Sequence, residues 1–140
     1  MDAAWVALAL VGIAAFLCAF SYLGARMSGW SVLAQYYSTN REFDGKLWRF
    51  RHARIGWLTY GGVLTLGSGV DGFYLKVAPP YRLGHPALLI PWEELTLSVV
   101  QGWVFEYFVF HSTKVPETGI RVRKWLGQEI IKASAGRGLS

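Results

Sequence analysis

The chain has 140 residues, a formal net charge of +5, 53% hydrophobic residues, three histidines and a single cysteine. That length leaves room for one domain, and one cysteine excludes an intramolecular disulfide. The first two dozen residues are too apolar for a soluble core and must be accounted for separately.

No charged side chain lies between Asp2 and Arg26. At about 1.5 Å per helical residue, Ala3 to Ala25 reaches about 35 Å, enough to cross a hydrocarbon layer of about 30 Å with some tilt. A cleaved signal peptide would begin with cations and carry a shorter apolar stretch, whereas "MDAAW" begins with Asp2. "AFS" at 19–21 is the nearest approach to a cleavage site, so an anchor is the better reading. All 14 Lys and Arg residues follow the span, together with eight of the nine acids, and Arg26 and Arg41 flank it closely. Positive flanks of this kind stay in the cytoplasm, which predicts an inner-membrane, single-pass protein with a cytoplasmic C-terminal domain.

After the span, "SGWSVLAQYYST" places Trp30, Leu33, Ala34 and Tyr37 at helical spacing, with Ser28 as a cap. Aromatic rings just outside a span suit the headgroup layer, so Trp30, Tyr36 and Tyr37 are expected at the membrane interface. The alternative is that this short helix packs on the domain that follows. "NREFDG" is a turn-rich break, giving a division into an anchor (1–26), a juxtamembrane helix and linker (27–44) and a C-terminal domain (45–140).

From "KLWRFRHA" onward the period changes to two. Trp48, Phe50 and His52 alternate with Leu47, Arg49 and Arg51, which predicts a strand with one apolar and one basic face. "VLTL", "FYLKV", "ALLI", "LTLSVV", "VFEYFVFH" and "GIRV" follow as short strands between Gly, Pro or polar breaks. "QGW" at 101–103 reads as a turn. "RKWLGQEIIKASA" closes the pattern as a helix with Val122, Leu126 and Ile130 on one face beside Trp125, and "GRGLS" as a frayed tail.

Gly67, Gly69 and Gly72 have the spacing of a dinucleotide-binding loop, and Glu93 and Glu94 lie near the expected distance for a ribose-binding acid. That site also needs a helix starting within the loop to meet the pyrophosphate. "FYLKVAPP" is strand-like and is stopped by Pro79 and Pro80, so the βαβ unit has no room. The glycines are read as a hairpin bend, with Asp71-Gly72 a favoured turn pair. No Lys or Arg stands in the loop to hold an anion.

About seven antiparallel strands followed by one helix describe a small α+β domain, a barrel or sandwich closed at one end by the helix. This order, with "LIPWEEL" at 89–95, resembles the bacterial pleckstrin-homology-like (PH-like) and GRAM-like domains. Gly29, Trp30, Leu33, Ala34 and Tyr37 resemble the "GW..LA..Y" stretch that follows the anchor in single-span bacterial membrane proteins. The resemblance implies a non-catalytic binding platform.

His52, His85 and His111 fall at no metal-ligand spacing, and no cysteine follows the span. Ser68 and Ser112 lack a nucleophile-elbow frame through which His85 or His111 could activate them. No catalytic residue, cofactor or metal is therefore expected. The functional signal is charge: Lys46, Arg49, Arg51 and Arg54 alternate with aromatic residues and are assigned to anionic lipid binding, while Arg121, Arg123 and Lys124 form a second basic group; the alternative is that both are solvated faces that mark the cytoplasmic side and hold no ligand. The expected partner is the membrane, through anionic headgroups, or another membrane protein, with no nucleic acid. An assembly subunit packing through the small residues of the span is the alternative, and a membrane-bound enzyme a third.

Overall fold

The computed structural model describes residues 2–40, 43–78 and 85–134, with only the backbone described at 25–27. The Arg26 side chain, Arg41, Pro79, Pro80 and the 136–140 tail, each used above, lie outside the described residues.

Helix α1 (Ala3–Ser28) begins at Asp2, whose carboxylate accepts from the Ala4 amide, and is long and apolar enough over Ala3–Gly24 to cross a membrane. It stops at Gly29, which adopts a left-handed φ of +94° and starts helix α2 (Trp30–Tyr37) at once. Strands β1 (Lys46–Ile55), β2 (Leu58–Gly69), β3 (Gly72–Val77) and β4 (Leu88–Ile90) form one antiparallel meander. A 3-10 turn (Trp92–Glu94) leads to β5 (Leu95–Gln101), β6 (Glu106–Ser112) and β7 (Gly119–Arg123), a second meander, and then to helix α3 (Lys124–Ala133).

The two meanders join through β1 and β7, giving one curled antiparallel sheet of order β4-β3-β2-β1-β7-β6-β5. Only Arg54↔Arg121 and Ile55↔Ile120 pair across the join, so the sheet folds over as a half-barrel. Its inner face buries Leu64, Leu66, Phe73, Leu75, Phe110 and Ile120 in one continuous core. Helix α3 adds Leu126 and Ile130 to that core, and the buried Ser68 hydroxyl donates to the Ile130 carbonyl at 2.5 Å. Gly127 lets α3 approach this closely, since a Cβ there would stand 2.5 Å from the Phe108 ring.

Strand β1 departs from strict alternation. Trp48 is buried but Phe50 is 72% exposed with a positive φ of 56°, and the buried positions resume at Ala53 and Ile55. Arg49 and Phe50 together oppose Thr65, and Gly61 to Val63 together oppose His52. These bulges shift the phase by one residue, so the apolar face expected at Trp48, Phe50 and His52 ends at Trp48. The final helix likewise starts later than its pattern suggested, because Val122 is a β7 residue and, of the three positions expected on one helical face, Leu126 and Ile130 are the two that turn inward from α3.

The glycine-rich loop is a hairpin. Gly69 pairs with Gly72 across the two-residue turn Val70-Asp71, one position before the expected Asp71-Gly72 pair, so that Gly72 opens β3. The space beside Gly67 and Gly69 is filled by the Phe43 ring, which stacks on Tyr74 at 4.7 Å between centroids. "PWEE" turns the chain between the meanders. Trp92 is buried against Phe73, and its indole N–H donates to the Gly69 carbonyl at 2.7 Å.

Candidate functional site

Helix α2 belongs to the domain core. Trp30, Leu33 and Tyr37 are buried at 0%, 0% and 4% exposure, Ser38 bridges to Leu88, and the Thr39 amide donates to Ala87. Side chains with so little open surface cannot reach lipid headgroups, so the interfacial placement of Trp30 and Tyr37 gives way to packing against the sheet. Tyr36, at 53% exposure, is the one of the three that faces outward. Helix α2 and the sheet share one core.

The corner between α1 and α2 is locked onto two loops of the domain. A Cβ at Gly29 would fall 2.5 Å from the Thr118 hydroxyl, and one at Gly56 would fall 2.1 Å from the Ser28 carbonyl oxygen. Ser28 Oγ lies 2.9 Å from the Tyr60 hydroxyl, which lies 2.7 Å from His85 Nε2. The Trp30 ring covers both Tyr60 and His85 at 5.7 and 5.1 Å, and its N–H donates to the Pro86 carbonyl. The three polar groups thus satisfy one another under an aromatic lid. Beside them an apolar pocket of about 260 Å³ opens between α1 and β2, lined by Phe20, Ser21, Gly24, Leu58, Thr59 and His85 among others.

Ser68 and Ser112 pair elsewhere. Ser68 is tied to Ile130, Ser112 hydrogen-bonds the Tyr37 hydroxyl, and His111 Nδ1 meets the Pro116 carbonyl at 3.0 Å. Tyr37 also donates to Glu94 at 3.0 Å, and Glu94 pairs with Lys114. Among the described residues no three His, Cys, Asp or Glu side chains converge.

Two phenols therefore sit in the protein's polar interior. Burial raises the Tyr60 phenol above its ordinary value of 10.0, opposed by the Ser28 hydrogen bond. Desolvation also raises Tyr37, with Glu94 adding to the shift and Ser112 opposing it. Since each folded value exceeds the unfolded one, the stability carried by the neutral phenols is complete below pH 10 and is lost as pH rises through the folded values. Thermal unfolding from about pH 8 upward should show a midpoint falling above pH 10. Tyr60→Phe should flatten that fall, and a slope unchanged in Y60F would assign the loss to other groups.

The structure divides the four cations assigned to lipid binding. Lys46 lies over the Trp48 ring at 5.3 Å, Arg51 turns toward Trp125 of α3 at 5.4 Å, and Arg49 is exposed. Lys46 and Arg54 stand at opposite ends of β1, more than about 20 Å apart at about 3.3 Å per strand residue. Arg54 instead joins the second basic group, facing Arg121 directly across the β1–β7 join.

Arg54, Arg121 and Arg123 line an open groove of about 480 Å³ on the outer face of the sheet, with His52, Thr59, Phe105 and Tyr107. Arg121 lies over the Tyr107 ring at 4.0 Å and Arg123 over the Phe105 ring at 3.5 Å. Such stacking fixes the guanidinium planes while leaving N–H edges for an anion. Among the described residues none of the three arginines forms an ion pair, and the buried Arg121 Nε has no hydrogen-bond partner. Phe105 and Tyr107 were not singled out from the sequence. Their signal was the alternation in "VFEYFVFH", which sets Tyr107 opposite Arg123.

Comparison with family models, with curated proteins and with solved structures returns no match for this chain. Fold and site define its class: a curled half-barrel sheet carried on a helix of membrane-spanning length.

Proposed function

We propose that the chain is a single-pass inner-membrane protein whose cytoplasmic domain is a non-catalytic binding module applied to the anionic lipid surface. The observation that carries this reading is the convergence of Arg54, Arg121 and Arg123 in one groove with no acidic partner among the described residues. That groove shares Thr59 with the pocket lined by the inner end of α1, which brings it close to where the helix would leave the bilayer. The order of elements, a four-strand and a three-strand meander closed by a C-terminal helix, supports the PH-like resemblance.

Each cation near an anionic leaflet contributes about 1 kcal/mol, so three contribute about 3 kcal/mol at low salt. The test is the selectivity of the full-length protein in phosphatidylcholine vesicles for trace spin-labelled phosphatidylglycerol over spin-labelled phosphatidylcholine, read from the motionally restricted lipid. The natural protein should prefer the anionic lipid, and the preference should weaken with salt. Replacing Arg54, Arg121 and Arg123 by Gln should reduce it about tenfold or more, while Lys132→Gln on α3 leaves it unchanged. Equal selectivity in the triple variant would reject the surface reading and favour a protein partner.

A further inference from the structure

Among the described residues outside α1, the turn between β5 and β6 is the most exposed apolar feature. Gln101 pairs with Glu106, the Gly102 amide donates to the Phe105 carbonyl, and the intervening side chains point away from the domain. Trp103 is 100% exposed, Val104 68% and Phe105 47%. Three consecutive exposed apolar side chains led by a fully exposed indole make a patch of the kind that marks an interaction surface.

Strand register fixes which way this tip points. Leu58, Ile55 and Ile120 stand side by side across β2, β1 and β7, and Thr59, Arg54 and Arg121 form the next row. Helix α1 runs along the same rows: Gly24 lies against Leu58, while Phe20 and Ser21 line a pocket with Thr59, Tyr60 and Val63. Travelling from Ser28 back into the apolar span is therefore the same direction as travelling along β7 from Ile120 to Arg123. Arg123 pairs with Tyr107, and the tip lies beyond that pair. The opposite ends of β6 and β7 meet at Thr118, which touches the α1–α2 corner.

From this juxtaposition we infer that the β5–β6 tip, Trp103 to Phe105, inserts into the leaflet from which α1 emerges, beside the arginine groove. The chemistry at its base fits a headgroup layer. Arg123 stacks on Phe105, and the Glu106 carboxylate is neutralised by Lys124 at 2.8 Å, so the rim is positive. Trp and Phe above a row of arginines match the order of acyl chains and phosphates. The inference rests on the lipid-surface reading for its basic rim, but its apolar tip is tested separately.

The full-length chain with Cys18→Ala carries an environment-sensitive fluorophore on Trp103→Cys, on Val104→Cys to retain the indole, or on Glu117→Cys at the other end of β6 and β7. In vesicles of phosphatidylcholine with or without phosphatidylglycerol, the labels at 103 and 104 should emit blue-shifted. They should be quenched several-fold more by lipid nitroxides, and less by aqueous iodide, than the label at 117. Insertion in both lipids together with absent anionic selectivity would uphold the tip and reject the lipid-surface reading. Anionic selectivity with an aqueous tip would do the reverse. A tip that remains aqueous in both vesicle types, even if it is covered by an added protein, overturns the inference.

Discussion

Trp30→Ala is expected to remove about 3–5 kcal/mol of stability, the range for deleting a large buried aromatic side chain. The indole is fully buried, covers Tyr60 and His85, and donates to Pro86. Its loss leaves a cavity, an unpaired carbonyl and an uncovered polar network at once. For a domain whose total stability is about 5–15 kcal/mol, that is a large share, and the thermal midpoint should fall by more than about 10 °C. Trp57→Ala provides the comparison, because Trp57 is 55% exposed. If both variants melted alike, Trp30 would not be the keystone between α2 and the sheet.

Gly56→Ala should be nearly as damaging. The position has a φ of +62°, and its Cβ would stand 2.1 Å from the Ser28 carbonyl oxygen. Left-handed strain costs about 1–2 kcal/mol, and the contact adds about 1–3 kcal/mol unless α1 lifts from the β1–β2 turn. Gly62→Ala separates these contributions. Its φ is +70°, but the nearest atom beyond its neighbours is the His52 ring at 3.8 Å, so only the backbone strain should appear. Unfolding of the two variants in detergent, with limited proteolysis at the α1–α2 corner, measures the difference. Equal losses would show that the helix is not seated on the turn as described.

The strands and the Gly67–Gly72 hairpin were legible because period and turn chemistry are local. Seven strands and the closing helix follow from that pattern. What escaped was non-local. Trp48, Phe50 and His52 alternate perfectly on paper, and only the pairing with β2 inserts the extra residue that turns Phe50 outward. Trp30 and Tyr37 follow an apolar span, and composition cannot distinguish a ring meeting headgroups from one meeting a sheet. The arginines close together in sequence are dispersed by strand geometry, whereas Arg54 and Arg121, 67 positions apart in the numbering, become neighbours. Strand pairing made the site, and pairing across a gap of that size leaves no local trace.

The corner at Gly29 also governs which neighbours helix α1 can accept. With Ser28 seated on Gly56 and Gly29 beneath Thr118, any rotation of α1 about its long axis carries the half-barrel with it. Helix and domain share one azimuth. Ser21 is buried and Gly24 faces Leu58, so the domain-proximal end of α1 is already occupied on that side. A Cβ at Gly12 would meet nothing within 4 Å beyond its own helix. A second helix seeking close contact is therefore steered to the N-terminal half of α1, and the domain arrives at that encounter with its heading already set.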